Sequence, residues 1–511
     1  MKMKKTVLAV LVAAVGCGAL AADVGVKVNG TDVSAGTGDG WTYEQEKRLL
    51  TLSGTGTFTL SGTNKVGDVS VVQAASSTVI LSDLVLETPN DVGDLLRPPY
   101  MVGTGNSVVE AKILLKGDSS IVSGLTWSDK HNKNAAVFVS YGSTLTIDTE
   151  NGDENASLTA QGAPECPGIG GGRDFAMGTL IIDGGRITAK AGWCGACIGG
   201  GVSWGEDGVC PGKIVINGGV IYAETDCDYG PEESPAGIGC PGGQLPEEGR
   251  EGLGYDIVIN GGTIVAKSRS AIGDLIADLG RTILVKGGSV NGRVALPRDS
   301  SGNVLWRVTI EGVRGKDPVT VEGLDGYGVR DVRPVDGMLS FWLPNGTYRL
   351  VVDGRVYTAT VADADVTASS QWTVGDGVSA EWHDRILSLT GSGKVSDYAS
   401  AAELPWAGFT VTNMTFASGV TPGRNTYAGL ADTAMVNGTV PISLLRASAG
   451  EFLVGNLSPA EASALKIENG EVKLTVVVDE SADLQTWTPA KTVDLTVPVK
   501  DEKGFYILRS K

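Results

Sequence analysis

Thr179-Leu-Ile-Ile-Asp-Gly-Gly-Arg-Ile-Thr-Ala-Lys190 recurs as Lys213-Ile-Val-Ile-Asn-Gly-Gly-Val-Ile-Tyr-Ala-Glu224, Asp256-Ile-Val-Ile-Asn-Gly-Gly-Thr-Ile-Val-Ala-Lys267 and Thr282-Ile-Leu-Val-Lys-Gly-Gly-Ser-Val-Asn-Gly-Arg293. Each copy reads as a short strand, a Gly-Gly corner and a second strand. Between the copies runs another signature: Gly168-Ile169-Gly170-Gly171-Gly172, Cys197-Ile198-Gly199-Gly200-Gly201, Gly237-Ile238-Gly239 and Ala271-Ile272-Gly273. Two recurring features per period require a turn of chain with at least three short strands. The corners begin at 184, 218, 261 and 287, a solenoid spacing with its insertions in loops. Weaker copies at Ile113-Leu114-Leu115 and Leu145-Thr146-Ile147 continue the pattern upstream.

Side chains of a strand alternate between its faces, which assigns the register. Leu180/Ile182, Ile214/Ile216, Ile257/Ile259 and Ile283/Val285 form one inward set, and Ile187/Ala189, Ile221/Ala223, Ile264/Ala266 and Val290/Gly292 another. Thr188, Lys190, Tyr222, Glu224, Thr263 and Lys267 stand between them and should meet solvent. Sharp corners call for φ > 0, which glycine adopts without steric cost. That explains much of the glycine excess, 73 in 511 residues, about 14% against a usual 7%. The expected fold is all-β: a parallel β-helix, right-handed by the chirality rule for parallel crossovers, followed by small β-sandwich modules.

The formal net charge is −18, which argues against nucleic acid or an anionic membrane surface as partner. With only His131 and His383, chemistry needing several imidazoles is disfavoured. Residues 1–22 carry Lys2, Lys4 and Lys5, an apolar run Val7 to Val15 and Ala19-Leu20-Ala21, the pattern of a cleavable secretory signal. The expectation is an exported protein, extracellular, on the cell surface or periplasmic, with no membrane insertion once that signal is removed.

Export makes the six cysteines between 166 and 240 candidates for disulfides. Six allow 15 pairings. Stacking of successive loops favours Cys166 with Cys194 and Cys210 with Cys240, which leaves Cys197 with Cys227. Cys194-Gly-Ala-Cys197 matches a redox motif in spacing but lies in a β repeat without the helix such a thiol needs.

Beyond the linker Pro297 to Gly302 the pattern changes to isolated alternating strands. The expected organisation is a signal peptide (1–22), a β-helix with degenerate first coils or a cap (23–296), a small β-sandwich (303–368), a leucine-rich-repeat-like segment (372–439) and a β module with one short helix (440–511). Ser458-Pro459-Ala460-Glu461 is a capping box that predicts that helix through about Ile467.

The repeats of Leu49 to Val294 resemble the Gly-Gly and Ile-Gly-Gly-Gly repeats of exported bacterial β-helix proteins described as carbohydrate-binding or pectate-lyase-like. Residues 303–368 are similar to prealbumin-like spacer modules. Ile386-Leu-Ser-Leu-Thr-Gly-Ser-Gly393 and Gly419-Val-Thr421 resemble the first turn of leucine-rich-repeat surface proteins, and 440–511 is similar to the terminal β modules of large exported bacterial proteins. The resemblance implies a non-enzymatic face that binds a polysaccharide or cell-surface glycan. The alternatives are a degenerate polysaccharide lyase or glycoside hydrolase, and a structural stalk without ligand.

Sugar faces stack on aromatic rings, which nominates Trp193, Trp204, Tyr222 and Tyr229 as binding residues. An enzyme would draw on Asp174, Asp183, Arg173 and Arg186, although no carboxylate pair recurs along the coils, and Asn217 and Asn260, which share the repeat position of Asp183, read as a turn-stabilising ladder. No cofactor is expected, except that Ca²⁺ would suit an acidic loop: either Asp148 to Asn155, or Asp226, Asp228, Glu232 and Glu233.

Overall fold

The computed structural model describes residues 24–441 except 68, 89–96, 106, 125–133, 203–211, 226–234, 242–254, 268–269, 274–282, 316 and 439. It also describes the strands Lys466–Glu468, Glu471–Glu480 and Thr488–Pro498. The described elements are β-strands and four short 3-10 turns. No described helix is long and apolar enough to cross a membrane.

Alternating apolar runs of two to seven residues, joined by glycine corners, become three parallel ladders. The first holds Leu49–Leu52, Ser70–Gln73, Tyr100–Val102, Val137–Val139, Ile169–Gly170, Ile198–Gly199, Ala236–Gly239 and Ser270–Gly273. The second passes through Glu110–Lys116, Thr144–Thr149, Thr179–Ile182, Gly212–Ile216, Tyr255–Ile259 and Ile283–Val285. The third passes through Asp118–Val122, Ser157–Gln161, Arg186–Lys190, Val220–Glu224, Thr263–Lys267 and Ser289–Asn291. The chain visits them in that order and begins again, so each circuit lies one strand spacing, about 4.8 Å, beyond the last.

Like side chains stack inside. Leu145, Leu180, Ile214, Ile257 and Ile283 are successive register partners in the second ladder, as are Leu158, Ile187, Ile221, Ile264 and Val290 in the third. All are buried in one continuous core. Tyr100 stands in the corresponding interior row of the first ladder and donates to Gln73 at 2.9 Å. The N-terminal end is antiparallel: Val26–Val28 pairs with 60–62 of Thr57–Asn64, and Trp41–Glu44 with Leu49–Leu52.

One outward position departs from expectation. Thr263 does face away from the interior, yet it is fully buried, because residues 327–333 lie across the corners between the second and third ladders. Its hydroxyl donates to the Asp331 carbonyl at 2.9 Å and accepts from the Arg333 N–H at 2.6 Å. The same strap engages the corner amides: Gly288 N–H donates to Gly328, Gly262 to Arg330, and Gly219 to the Asp331 carboxylate.

Past the strap, Trp306–Glu311 pairs antiparallel with Met338–Leu343. A second sheet runs from Gly346–Val352 through Arg355–Val361, Ser369–Gly375 and Val378–His383 to Ile386–Lys394, and then parallel to Asn413–Phe416. One buried cluster from Val308 to Val436 joins the segments expected as 303–368 and 372–439. Residues 458–465 lie outside the described residues, but Lys466–Glu468 is a strand paired with Glu471–Glu480, so the expected helix does not reach Ile467. A hydrogen-bonded hairpin partner outweighs the local capping signal there.

Ile259 is buried between Ile216 and Val285 in register. Ile259→Asp places an unpaired carboxylate in a dry stack. Cooperative thermal unfolding, followed by circular dichroism, is expected to be lost; a wild-type transition would contradict the inward assignment.

Candidate functional site

The corner between the second and third ladders is structural. Asn217 donates to Asp183 at 2.7 Å, and Asn260 donates to Asn217 at 2.7 Å. The repeat position thus carries a hydrogen-bonded ladder ended by one carboxylate. Arg186 begins the strand just past this corner, level with Ser157 and Val220. Arg173 and Asp174 precede the strand Thr179–Ile182 whereas Asp183 follows it, so the two pairs stand roughly 10 Å or more apart along the strand. The residues that the enzymatic alternative would draw on are thus divided between the two ends of that strand.

Arg173 has another task. Glu165 precedes Ile169–Gly170 and Arg173 follows it, and their ion pair of 2.6 Å joins the two ends of that strand. Glu165 is 2% exposed. Two further bonds tie the same loops together, Val202 N–H to the Glu165 carbonyl and Asp174 N–H to the Val202 carbonyl. Gly170 and Gly171, beneath these loops, are buried.

Ahead of these loops the first ladder carries side chains instead of glycine at its outward positions. Thr51, Val72, Met101 and Phe138 are successive register partners there. They line a groove of about 460 Å³. Phe175, from the loop after Ile169–Gly170, packs edge-on against Phe138 with ring centroids 6.2 Å apart and planes at 78°. It is 54% exposed. Tyr141 and Val108 stand exposed at the same corner of the two preceding circuits. Arg97, just ahead of Tyr100–Val102, lines the groove from the other edge. Its Nη1 is buried and meets no acceptor among the described residues.

Sequence reasoning missed this groove. Phe138 was readable, since Val137 and Val139 are inward and the residue between them must point out. Arg97 and Phe175 come from non-repeating loops and gave no signal. Of the expected aromatic set, Trp193 is 46% exposed at the corner leading into Ile198–Gly199, while Tyr222 lies half-buried on the third ladder, so the two do not line one side. Trp204 and Tyr229 lie outside the described residues, as do the expected cation ligands Asp226, Asp228, Glu232 and Glu233.

The other acidic loop is described and engaged by protein cations. Lys112 pairs with Asp148 at 3.2 Å, Lys116 with Glu150 at 3.1 Å, and Arg333 with Glu154. Among the described residues no group of three or more His, Cys, Asp or Glu side chains is gathered for a metal.

Cys166 carries a free thiol, so the expected bond to Cys194 is not formed. The reason is register: the residue stacked against the Cys166 backbone is Gly195, where an added Cβ would lie 2.7 Å from the Cys166 carbonyl carbon. Cys197 and Cys240 are buried, and Cys210 and Cys227, one from each remaining expected pair, lie outside the described residues. Burial pushes the Cys166 thiol from its ordinary 9.0 up to about 12.

Two outcomes follow from this geometry. Asn217→Ala breaks two bonds of the ladder and strands Asp183, so stability is expected to fall by about 2 kcal/mol in chemical denaturation; an unchanged midpoint would show that the ladder contributes nothing. The raised Cys166 pKa means that the folded state keeps a proton the unfolded chain loses above pH 9. Its stability contribution is therefore full below pH 9 and declines toward pH 12, by about 1.4 kcal/mol per unit. Cys166→Ala should flatten the decline over that window, and an identical decline in the variant would refute it.

Comparison with protein-family models, with curated proteins and with solved structures found no match.

Proposed function

We propose that this chain is an exported, non-enzymatic protein in which a right-handed parallel β-helix, followed by small C-terminal β modules, presents a carbohydrate-binding face. The observation that carries the reading is the Phe138–Phe175 pair bordering the first-ladder groove, with Phe175 more than half exposed. The C–H face of a pyranose stacks on such a ring while polar groups at the rim take its hydroxyls. A large exposed aromatic held against a second one by neighbouring circuits is already oriented before a ligand arrives, which limits the ordering cost of binding. Export is supported by residues 1–22, whose composition is that of a cleavable signal.

Binding is favoured over hydrolysis or lyase chemistry by the occupation of the candidate acids and bases. Asp183 accepts from Asn217, Arg173 is held by a buried Glu165, and Asp148, Glu150 and Glu154 face two lysines and an arginine. Glycosidic cleavage needs two carboxyl groups on either side of one bond, and Asp174 and Asp183 lie on opposite ends of a strand.

A glycan array with the secreted chain tests the reading. Binding without product release is expected, and Phe175→Ala should weaken it about fivefold, the worth of one stacking platform near 1 kcal/mol, with an unchanged melting temperature. If Phe175→Ala lowers the melting temperature and leaves affinity per folded molecule intact, the aromatic pair is a structural lid. Release of unsaturated or reducing-end sugars would replace the proposal with the enzymatic one.

A further inference from the structure

We infer that the saccharide taken by this groove is acidic, with its anionic group seated on Arg97; the inference rests on the carbohydrate reading above. Among the described residues that line the groove, Arg97 is the only charged one. Four arginines of the described chain hold a buried guanidinium N–H without an acceptor: Arg97, Arg173, Arg307 and Arg333. Three of them have a carboxylate elsewhere on the fork. Arg173 has Glu165 at 2.6 Å, Arg307 has Asp365 at 3.3 Å, and Arg333 has Glu154. Arg97 alone of the four has no ion pair among the described residues.

A guanidinium cannot shed its proton at any working pH, so burial cannot be relieved by neutralisation. Nη1 itself has no exposed surface, so an anion in the groove is met by the part of Arg97 that lines it. Water or a sugar hydroxyl could meet one N–H, but a planar anion meets two at once and adds charge, which makes the arginine–anion pair the stronger match.

The chain as a whole bears −18, which would keep an acidic polymer away if long-range potential decided the matter. It does not at physiological salt, where charges more than about 8 Å apart are largely screened. A contact pair inside an apolar-floored groove is screened far less. The net charge instead sharpens selection: an anionic ligand gains only where an unpaired cation awaits it, and Arg97 is such a place. The groove then has a division of labour, with Phe175 and Phe138 taking a ring face at one edge and Arg97 taking the acid at the other.

The test uses the full secreted chain and an array of uronate-, sialate- and sulfate-bearing oligosaccharides, each beside a neutral counterpart, with oligogalacturonate paired to its methyl ester. At least one acidic oligosaccharide is expected to bind ten times more tightly than its neutral partner, with affinity falling as sodium chloride rises. Arg97→Gln should bring the two within twofold, Arg97→Lys should retain part of the preference, and neither should lower the melting temperature, because Arg97 has no ion pair among the described residues to lose. The uronate and sulfate arms identify which anion is preferred. Neutral glycans bound as well as acidic ones, or an acid preference that survives Arg97→Gln, would overturn this inference and leave the carbohydrate reading standing. If no glycan of either kind binds, both fall.

Discussion

Backbone meets backbone at the Gly-Gly corners, and the close approach of successive circuits depends on it. The second glycine of each corner has a positive φ, 89° at Gly185, 82° at Gly219 and 86° at Gly262. A Cβ on Gly219 would lie 2.7 Å from the Gly185 carbonyl oxygen, and one on Gly262 would lie 2.9 Å from that of Gly219. Any side chain there both strains the backbone and wedges the circuits apart. With glycine in place the circuits close to strand spacing, and the residue ahead of each corner can hydrogen-bond to its equivalent, as Asp183, Asn217 and Asn260 do. The isoleucine stacks inside are possible only at that spacing.

The same corners supply the attachment for the C-terminal half. A corner that turns its amides outward leaves donors that must be met, and the strap from Gly328 to Arg333 meets them with two carbonyls and the Asp331 carboxylate. The strap then leads into the antiparallel strands, where Ser340 bonds Ser289 and Asn291, and the Trp342 indole N–H reaches the Val290 carbonyl. The two halves of the chain are therefore joined by the repeat geometry itself, and the core of the ladders extends to Trp342.

The ladders were legible because isoleucine, asparagine and paired glycine recur at matched offsets, so that face and register follow from alternation alone. What lay outside the repeat was not. Thr263 reads as a solvent position because its cover comes from residues 327–333, which have no periodicity to announce them. Cys166 and Cys194 look equivalent by their distance from the Ile-Gly signature, yet a shift of one residue puts Gly195 against Cys166. Trp193, Trp204, Tyr222 and Tyr229 stand out in the sequence because they punctuate the strongest repeats. The groove instead lies over earlier circuits, where the outward positions of the first ladder are Val72, Met101 and Phe138 and where the repeat is weakest. Glycine at the equivalent positions 170 and 199 explains why: circuits that carry the clean signature have no side chain there, and the Arg173–Glu165 pair bridges the ends of the first such strand.

On this account the regular circuits form a scaffold and the irregular ones form the face. Hydrogen–deuterium exchange of the full chain with and without a bound acidic oligosaccharide tests that division most directly. The account predicts that protection gained on binding concentrates in segments 97–104, 134–142 and 171–178. Protection confined to the Gly-Gly corners, to the outer face of the third ladder around Tyr222, or to the C-terminal sheets would contradict it.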